Sequence, residues 1–140
     1  IASCLVGSEM CIRDRHITLN QLELSPYTLD AFEDGTINHM YKDDVKIMAW
    51  SPLAGGKLFS ADDAKAQRIM TTIESLAQKY QVTTSGIIMA WLNKHPSQVM
   101  PVLGTHQINR VDDALVGMNI KLTDQEWFDI YTASLGHDIP

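Results

Sequence analysis

At 140 residues, with a formal net charge of −6 and 45% hydrophobic residues, the chain has a globular composition and room for one small domain or a piece of a larger one. Acidic residues outnumber basic ones, 17 to 11, and no Lys/Arg cluster appears, which argues against a nucleic-acid surface. No apolar run approaches the roughly 20 residues of a membrane span, and the scattered histidines lack partners at ligand spacing, so no metal site is expected.

The run CLVGSEMCIRDR at 4–15 differs from everything after it, with neither strand alternation nor an amphipathic stripe. It looks like a translated sequencing-adapter artefact, the plainer alternative being a disordered arm, so residues 1–15 are set apart from a domain over 16–140. The run carries both cysteines, Cys4 and Cys11, and Glu9 interrupts its apolar stretch, so it is not read as a signal peptide.

Regular pattern begins at His16. Partial alternation predicts a strand over 17–24, and Pro26 opens a helix over 28–41 with Leu29, Phe32, Ile37 and Met40 at roughly helical spacing and Gly35 weakening its middle. A nearly all-apolar strand follows at 45–50, as expected for a strand covered on both faces, then a loop over 51–60. A long helix over 61–80 sets Ile69, Ile73, Leu76 and Ala77 on one side. Thr83 or Thr84 caps the next helix, which carries Ile87, Ile88, Trp91 and Leu92 and stops at Lys94-His95 before Pro96. A third strand over 99–103, a helix over 106–118, and a last helix through Ser134, opened by a Thr123/Glu126 capping box, complete the chain. Strands alternating with helices imply a parallel sheet with right-handed crossovers. Three strands are too few to close a barrel, so the chain reads as part of a larger α/β protein.

The most informative stretch is KIMAWSPLAGG at 46–56: a strand, an aromatic, then a loop of small residues, which is how an α/β protein sets a flat ring and free backbone N–H groups at the carboxyl end of its sheet. The run VMPVLGT at 99–105 repeats the idea, with Arg110 on the helix that follows.

These landmarks, with NQLELS at 20–25, MAWSPL at 48–53 and LTDQEW at 122–127, resemble the carboxyl-terminal part of an aldo-keto reductase. The resemblance implies a (β/α)8 barrel that binds an extended nicotinamide dinucleotide, of which this chain supplies about the last three strands. It implies that Gln21 holds the nicotinamide carboxamide, that Trp50 stacks on the nicotinamide, that Ser51, Pro52, Leu53, Ala54 and Gly55 wrap the pyrophosphate, and that Gly104, Thr105 and Arg110 hold the adenosine 2′-phosphate. The groove is expected to run unbroken from the Trp50 indole to the Arg110 guanidinium. Each residue also has a plainer reading: a polar strand end, a core indole, a surface connection, a surface arginine. Gly104 and Ala114 stand where many members have lysine and asparagine, so the preference for NADP over NAD that the resemblance implies rests on Thr105 and Arg110.

The family's catalytic aspartate, tyrosine, lysine and histidine fall upstream of Ile17, so no catalytic residue is assigned, and Tyr27, His39 and Lys46 are not promoted in their place. Tyr41, Tyr80 and Tyr131 are read as helix-packing residues, Met70 and Met89 as core fillers, and His137 and Asp138 as a tail. The implied function is a fragment of an NADP(H)-dependent oxidoreductase that reduces aldehydes or ketones, inactive alone, in a cytoplasmic location. Its partners are then the cofactor and a small carbonyl substrate. The alternatives are a nucleotide-sensing regulatory subunit of the same fold and an unrelated α/β fragment whose glycines are only turns.

Overall fold

A computed structural model describes residues 17–138; the run at 4–15 lies outside them. The chain order is β1 (Leu19–Glu23), α1 (Asp30–Glu33), α2 (Thr36–Lys42), β2 (Lys46–Trp50), a 3-10 segment (Ala54–Phe59), α3 (Ala64–Tyr80), α4 (Thr84–Lys94), β3 (Met100–Pro101), α5 (Ile108–Met118) and α6 (Asp124–Leu135). The strands form one parallel sheet in the order β1-β2-β3, open at both edges among the described residues. This is the expected α/β arrangement of parallel strands with flanking helices, its sheet unclosed.

Register decides what each face carries. Leu22 pairs with Ala49, while Gln21 pairs with Met48 and Glu23 with Trp50. Side chains alternate along a strand, so Leu22, Leu24, Ile47 and Ala49 share the face turned to the helices, and Leu24, Ile47 and Ala49 are fully buried there. Gln21, Met48, Trp50 and Met100 share the opposite, open face, where Trp50 is 43% and Met100 38% exposed.

Besides trims of one or two residues at the ends of β1, β2 and α5, four features depart from the sequence expectations. The single helix over 28–41 is two short helices, because Gly35 sits at φ 82° and the Asp34 carboxylate accepts the Thr36 N–H, ending one helix and opening another. The long helix starts at Ala64 rather than 61, because the Asp63 carboxylate accepts from the Lys65 and Ala66 amides as its N-cap. The third strand shrinks to Met100–Pro101: Pro101 has no N–H to give the ladder, and pairing continues only through the Val102 amide to the Ala49 carbonyl at 2.8 Å. The predicted loop over 51–60 contains helical turns, described below. Thr83 is the cap of α4, with its hydroxyl accepting from the Gly86 amide. The Thr123/Glu126 capping box is present in full.

The core is one continuous cluster. Beneath the sheet, Leu24, Ile47 and Ala49 pack with Ile69, Ile73, Ile87 and Ile88. Farther out, α1, α4 and α6 meet through aromatics: Trp91 and Trp127 stack at 5.2 Å, and each indole N–H donates to the other's backbone carbonyl, at 3.1 and 3.0 Å. Tyr80 and Tyr131 pack against this core as expected, but Tyr41 is 62% exposed and does not. It lies at the end of α2, beyond the reach of the buried cluster.

Candidate functional site

A cavity of about 760 Å³ opens where the three strands end and the chain turns to helix. One wall is the segment after β2, where Ser51, Pro52, Leu53, Gly55, Gly56 and Phe59 line it. The opposite wall is the strand-to-helix turn after β3, with Leu103, Gly104 and Thr105, and then Arg110, Asp113 and Ala114 of α5. Thr83, the N-cap of α4, and Ser85 and Met89 within that helix form the floor.

The first wall has an uncommon backbone. Ser51 and Ala54 have φ near +50°, at 53° and 51°, and are followed by Gly55 at 60° and Gly56 at 93°. Left-handed geometry at a residue with a Cβ costs roughly 1–2 kcal/mol, and such outliers cluster at ligand clamps. The segment is held at its ends rather than its middle: Ala54 and Leu58 are buried, whereas Gly55, Gly56 and Lys57 between them are exposed. Short turns fix the curl, from the Ala54 amide to the Ser51 carbonyl at 2.7 Å and from the Gly56 amide to the Leu53 carbonyl at 2.9 Å. These turns replace the plain loop read from the sequence, and the signal was hidden because two of the four left-handed residues are not glycine.

The second wall suits an anion. The N-cap of α5, Gln107, makes no side-chain cap, so first-turn amides are left to other acceptors. Arg110 lies in that turn, exposed, with its backbone amide already bonded to the Gln107 carbonyl and the Asn109 side chain. Asp113, one turn on, adds a carboxylate acceptor to the same cavity. A Cβ built on Gly56 or on Gly104 meets nothing within 4 Å, so both glycines stand at open space that a ligand can fill.

What places α5 is a second glycine pair. A Cβ on Gly117 would lie 2.2 Å from the Gly86 carbonyl oxygen and 2.5 Å from its Cα. The backbones of α4 and α5 therefore touch, and that crossing sets Ser85 and Met89 against Asp113 and Ala114.

Of the ten residues singled out in the sequence, the cavity gathers seven: Ser51, Pro52, Leu53, Gly55, Gly104, Thr105 and Arg110. Ala54 is buried behind the wall. Gln21 and Trp50 are on the open face of the sheet and do not line the cavity. The groove expected from the indole to the guanidinium is thus enclosed only between Ser51 and Arg110. The reason is topological: β1 has no strand on its outer edge among the described residues, so nothing faces Gln21 and Trp50 from across the sheet. Thr83, Ser85, Met89 and Asp113 were not singled out as site residues; the only sequence hint was the helical spacing of Ser85 and Met89 beside Gly86. Among the described residues no cluster of three or more His, Cys, Asp or Glu could hold a metal, and no helix is long and apolar enough to cross a membrane.

Comparison with known proteins gives this geometry its context. The model of the Aldo/keto reductase family matches residues 10–134. The chain belongs to the aldo/keto reductase family. It is 39% identical over 125 residues to the uncharacterized oxidoreductase YcsN of Bacillus subtilis, covering 89% of this chain and 42% of that protein. It is 35% identical to the oxidoreductase YdhF of Escherichia coli over 128 residues, with 89% and 41% covered. It is 32% identical to a 6-dehydroglucose reductase of Agrobacterium fabrum over 123 residues, with 88% and 40% covered. The chain thus spans about two fifths of the length of the curated relatives it matches. Among solved structures, a thermostable aldo-keto reductase in complex with the inhibitor epalrestat superposes with TM-score 0.76 at 24% identity, over 89% of this chain and 43% of that one. The fold is therefore that of part of an aldo/keto reductase barrel. These relatives are described as oxidoreductases or reductases, and none supports the regulatory alternative.

Proposed function

We propose that this chain is the cofactor-holding part of an NADP(H)-dependent oxidoreductase that reduces aldehydes or ketones to alcohols, and that the acid–base residues of the intact protein lie upstream of Ile17. The observation that carries the reading is the cavity that brings the left-handed 51–56 segment face to face with the uncapped start of α5 and Arg110. The residues present fit a dinucleotide: open space at Gly56 and Gly104 for close backbone approach, a guanidinium fork, and first-turn amides.

When bound, the cofactor supplies hydride to a carbonyl carbon. Each part of this chain has a task in holding it. Arg110 and Thr105 take an adenosine 2′-phosphate, where charge-assisted hydrogen bonds are strongest. Ser51, Pro52, Leu53, Ala54 and Gly55 shape the wall against which a pyrophosphate lies. The exposed Trp50 indole offers a flat apolar face, and Gln21, on the same face of the sheet, offers an amide able to donate and accept at once. Gly104 in place of a lysine makes Arg110 the one cation among the cavity's lining residues, so NADP preference rests on it. Alone, the chain is expected to be inactive and poorly folded, because its sheet leaves two strand edges unpaired, so binding is measured on the intact parent. The cell compartment proposed with this reading is the cytoplasm.

Titrating NADPH and NADH into the intact parent and following tryptophan fluorescence tests the reading. Micromolar binding that favours NADPH and weakens on Arg110→Met supports it. Failure of either dinucleotide to bind at millimolar concentration overturns it. The same titration on Trp50→Ala in the intact parent reports on the nicotinamide end, and unchanged affinity there removes Trp50 from the site.

A further inference from the structure

We infer that Tyr27, outside the cavity, is a positioning residue for the dinucleotide: its hydroxyl latches the 51–63 excursion in the pose that closes the pyrophosphate wall. The inference rests on the proposed dinucleotide reading.

Tyr27 is aimed by a rigid turn after β1. The hydroxyl of fully buried Ser25 accepts from the Tyr27 amide at 3.2 Å and from the Thr28 amide at 3.0 Å. From there the phenol reaches across to the excursion and donates to Asp63 Oδ2 at 2.6 Å. The other oxygen of the same carboxylate, Oδ1, caps α3 through the Lys65 and Ala66 amides at 2.8 and 3.1 Å. One carboxylate thus joins the phenol to the first turn of a 17-residue helix. The ring is also flanked by cations from both sides of the excursion: Lys57 Nζ, inside the 3-10 segment, lies 5.9 Å from its centroid, and Lys65 Nζ 5.0 Å.

Tyr27 therefore bonds the excursion at its end, through Asp63, and stands within cation–π range of its middle, at Lys57. Between Ala54 and Asp63 the only buried side chain is Leu58, and Gly55, Gly56 and Phe59 are the cavity-lining residues that this span must hold still. The protonation states suit the role. The Asp63 hydrogen bond raises the Tyr27 pKa, and the Tyr27 bond lowers that of Asp63, so a protonated donor faces an ionised acceptor across the neutral range. Removing the hydroxyl frees the far end of the wall and leaves the Arg110 wall untouched.

The test compares two ligands on the intact parent protein: NADPH, which spans both walls, and adenosine 2′,5′-bisphosphate, which carries only the adenosine end. In Tyr27→Phe the NADPH affinity is expected to fall about fivefold, through faster release in stopped flow, with bisphosphate affinity unchanged. Asp63→Asn, which keeps an oxygen for the helix cap and turns an NH2 donor towards the phenol oxygen, should fall between wild type and Tyr27→Phe. Equal weakening of both ligands, or of neither, overturns the latch. If wild type binds neither ligand, the dinucleotide reading fails instead, and hydrogen exchange of the unliganded parent then judges the latch. Faster exchange over 54–60 in Tyr27→Phe with α4 and α5 unchanged supports it, and unchanged exchange over 54–60 overturns it.

Discussion

The packing of α6 against α3 and α4 and the cavity between the 51–59 segment and α5 lie in one small chain but are built on opposite terms. In the first, polar groups close on each other. The two indole N–H groups of Trp91 and Trp127 are exchanged reciprocally. Buried Glu126 accepts from Lys79 at 2.7 Å, Tyr80 at 2.8 Å, and the Thr123 amide and hydroxyl at 2.7 and 3.0 Å. In the second, non-glycine residues sit at positive φ, a helix starts without a side-chain cap, and glycines face open space. Positive φ at residues other than glycine also occurs at Asp44, Gln81 and Gln98, so what marks the second region is the coincidence of left-handed backbone, an uncapped helix start and open glycines around one cavity.

The two regions meet at the Gly86/Gly117 crossing, so the largest effect is expected there. Gly117→Ala puts a methyl within 2.2 Å of backbone, which no side-chain rotation relieves. A loss of about 3 kcal/mol in thermal or urea unfolding is expected, together with loss of dinucleotide binding, because α5 carries Arg110. A variant that kept its affinity would show that the cavity tolerates movement of α5.

Glu126→Ala breaks the closed region alone. It removes half of a capping box and leaves Tyr80 and Lys79 without their acceptor, and a cost of about 2–3 kcal/mol is expected with dinucleotide affinity unchanged. The pH dependence follows from the same group. Burial would raise its pKa, but the hydrogen bonds from Lys79, Thr123 and Tyr80 outweigh it and hold it at about 2 against an ordinary 4.5. The unfolded chain binds this proton more readily, so Glu126 contributes stability above pH 4.5 that is lost as pH falls towards 2. His95, whose pKa burial against Phe32 and Trp127 lowers from 6.5, acts in the same direction and begins earlier, below pH 6.5. Urea melts from pH 7 to 3 should show wild type losing stability in both stages, Glu126→Gln shrinking the lower one, to which Asp34 and Asp63 also contribute, and His95→Gln losing the upper.

The contrast also explains what could be read from the residues. Closed features have local signatures: Thr123 with Glu126 at the right spacing, Pro96 after Lys94-His95, and Thr83 before an apolar run all gave correct helix ends. Of the open features, Gly55, Gly104 and Arg110 were legible through their place after strands. The left-handed turn at Ser51 and Ala54 was not, because those residue types ordinarily avoid it. Nor was the α4 floor with Thr83 and Ser85, which becomes part of the cavity only through a contact between glycines far apart in sequence. Trp50 was legible as the end of a strand, but its enclosure depends on a neighbour that β1 lacks among the described residues.

Arg110→Met separates the regions from the other side. Melting should not move, since the side chain is exposed, while NADPH affinity should fall by about 2 kcal/mol, roughly thirtyfold, and NADH affinity much less.

The smallest effect is the most selective. Gly104 has an ordinary φ and empty space where a side chain would begin, so Gly104→Lys should leave stability within about 0.5 kcal/mol. An ammonium placed at that wall adds a second cation beside Arg110. NADPH affinity should rise by about 1 kcal/mol at low salt, and the gain should shrink as ionic strength rises. NADH, lacking the 2′-phosphate, should gain little. Gly56→Lys is the control on the opposite wall: it too meets open space, but at φ 93° it forces a side chain into the left-handed region and should lower stability by about 1 kcal/mol. If the lysine at 104 strengthened both dinucleotides equally, its charge would be acting on the pyrophosphate, and the wall formed by Thr105 and Arg110 would have to be reassigned to the centre of the ligand rather than its adenosine end.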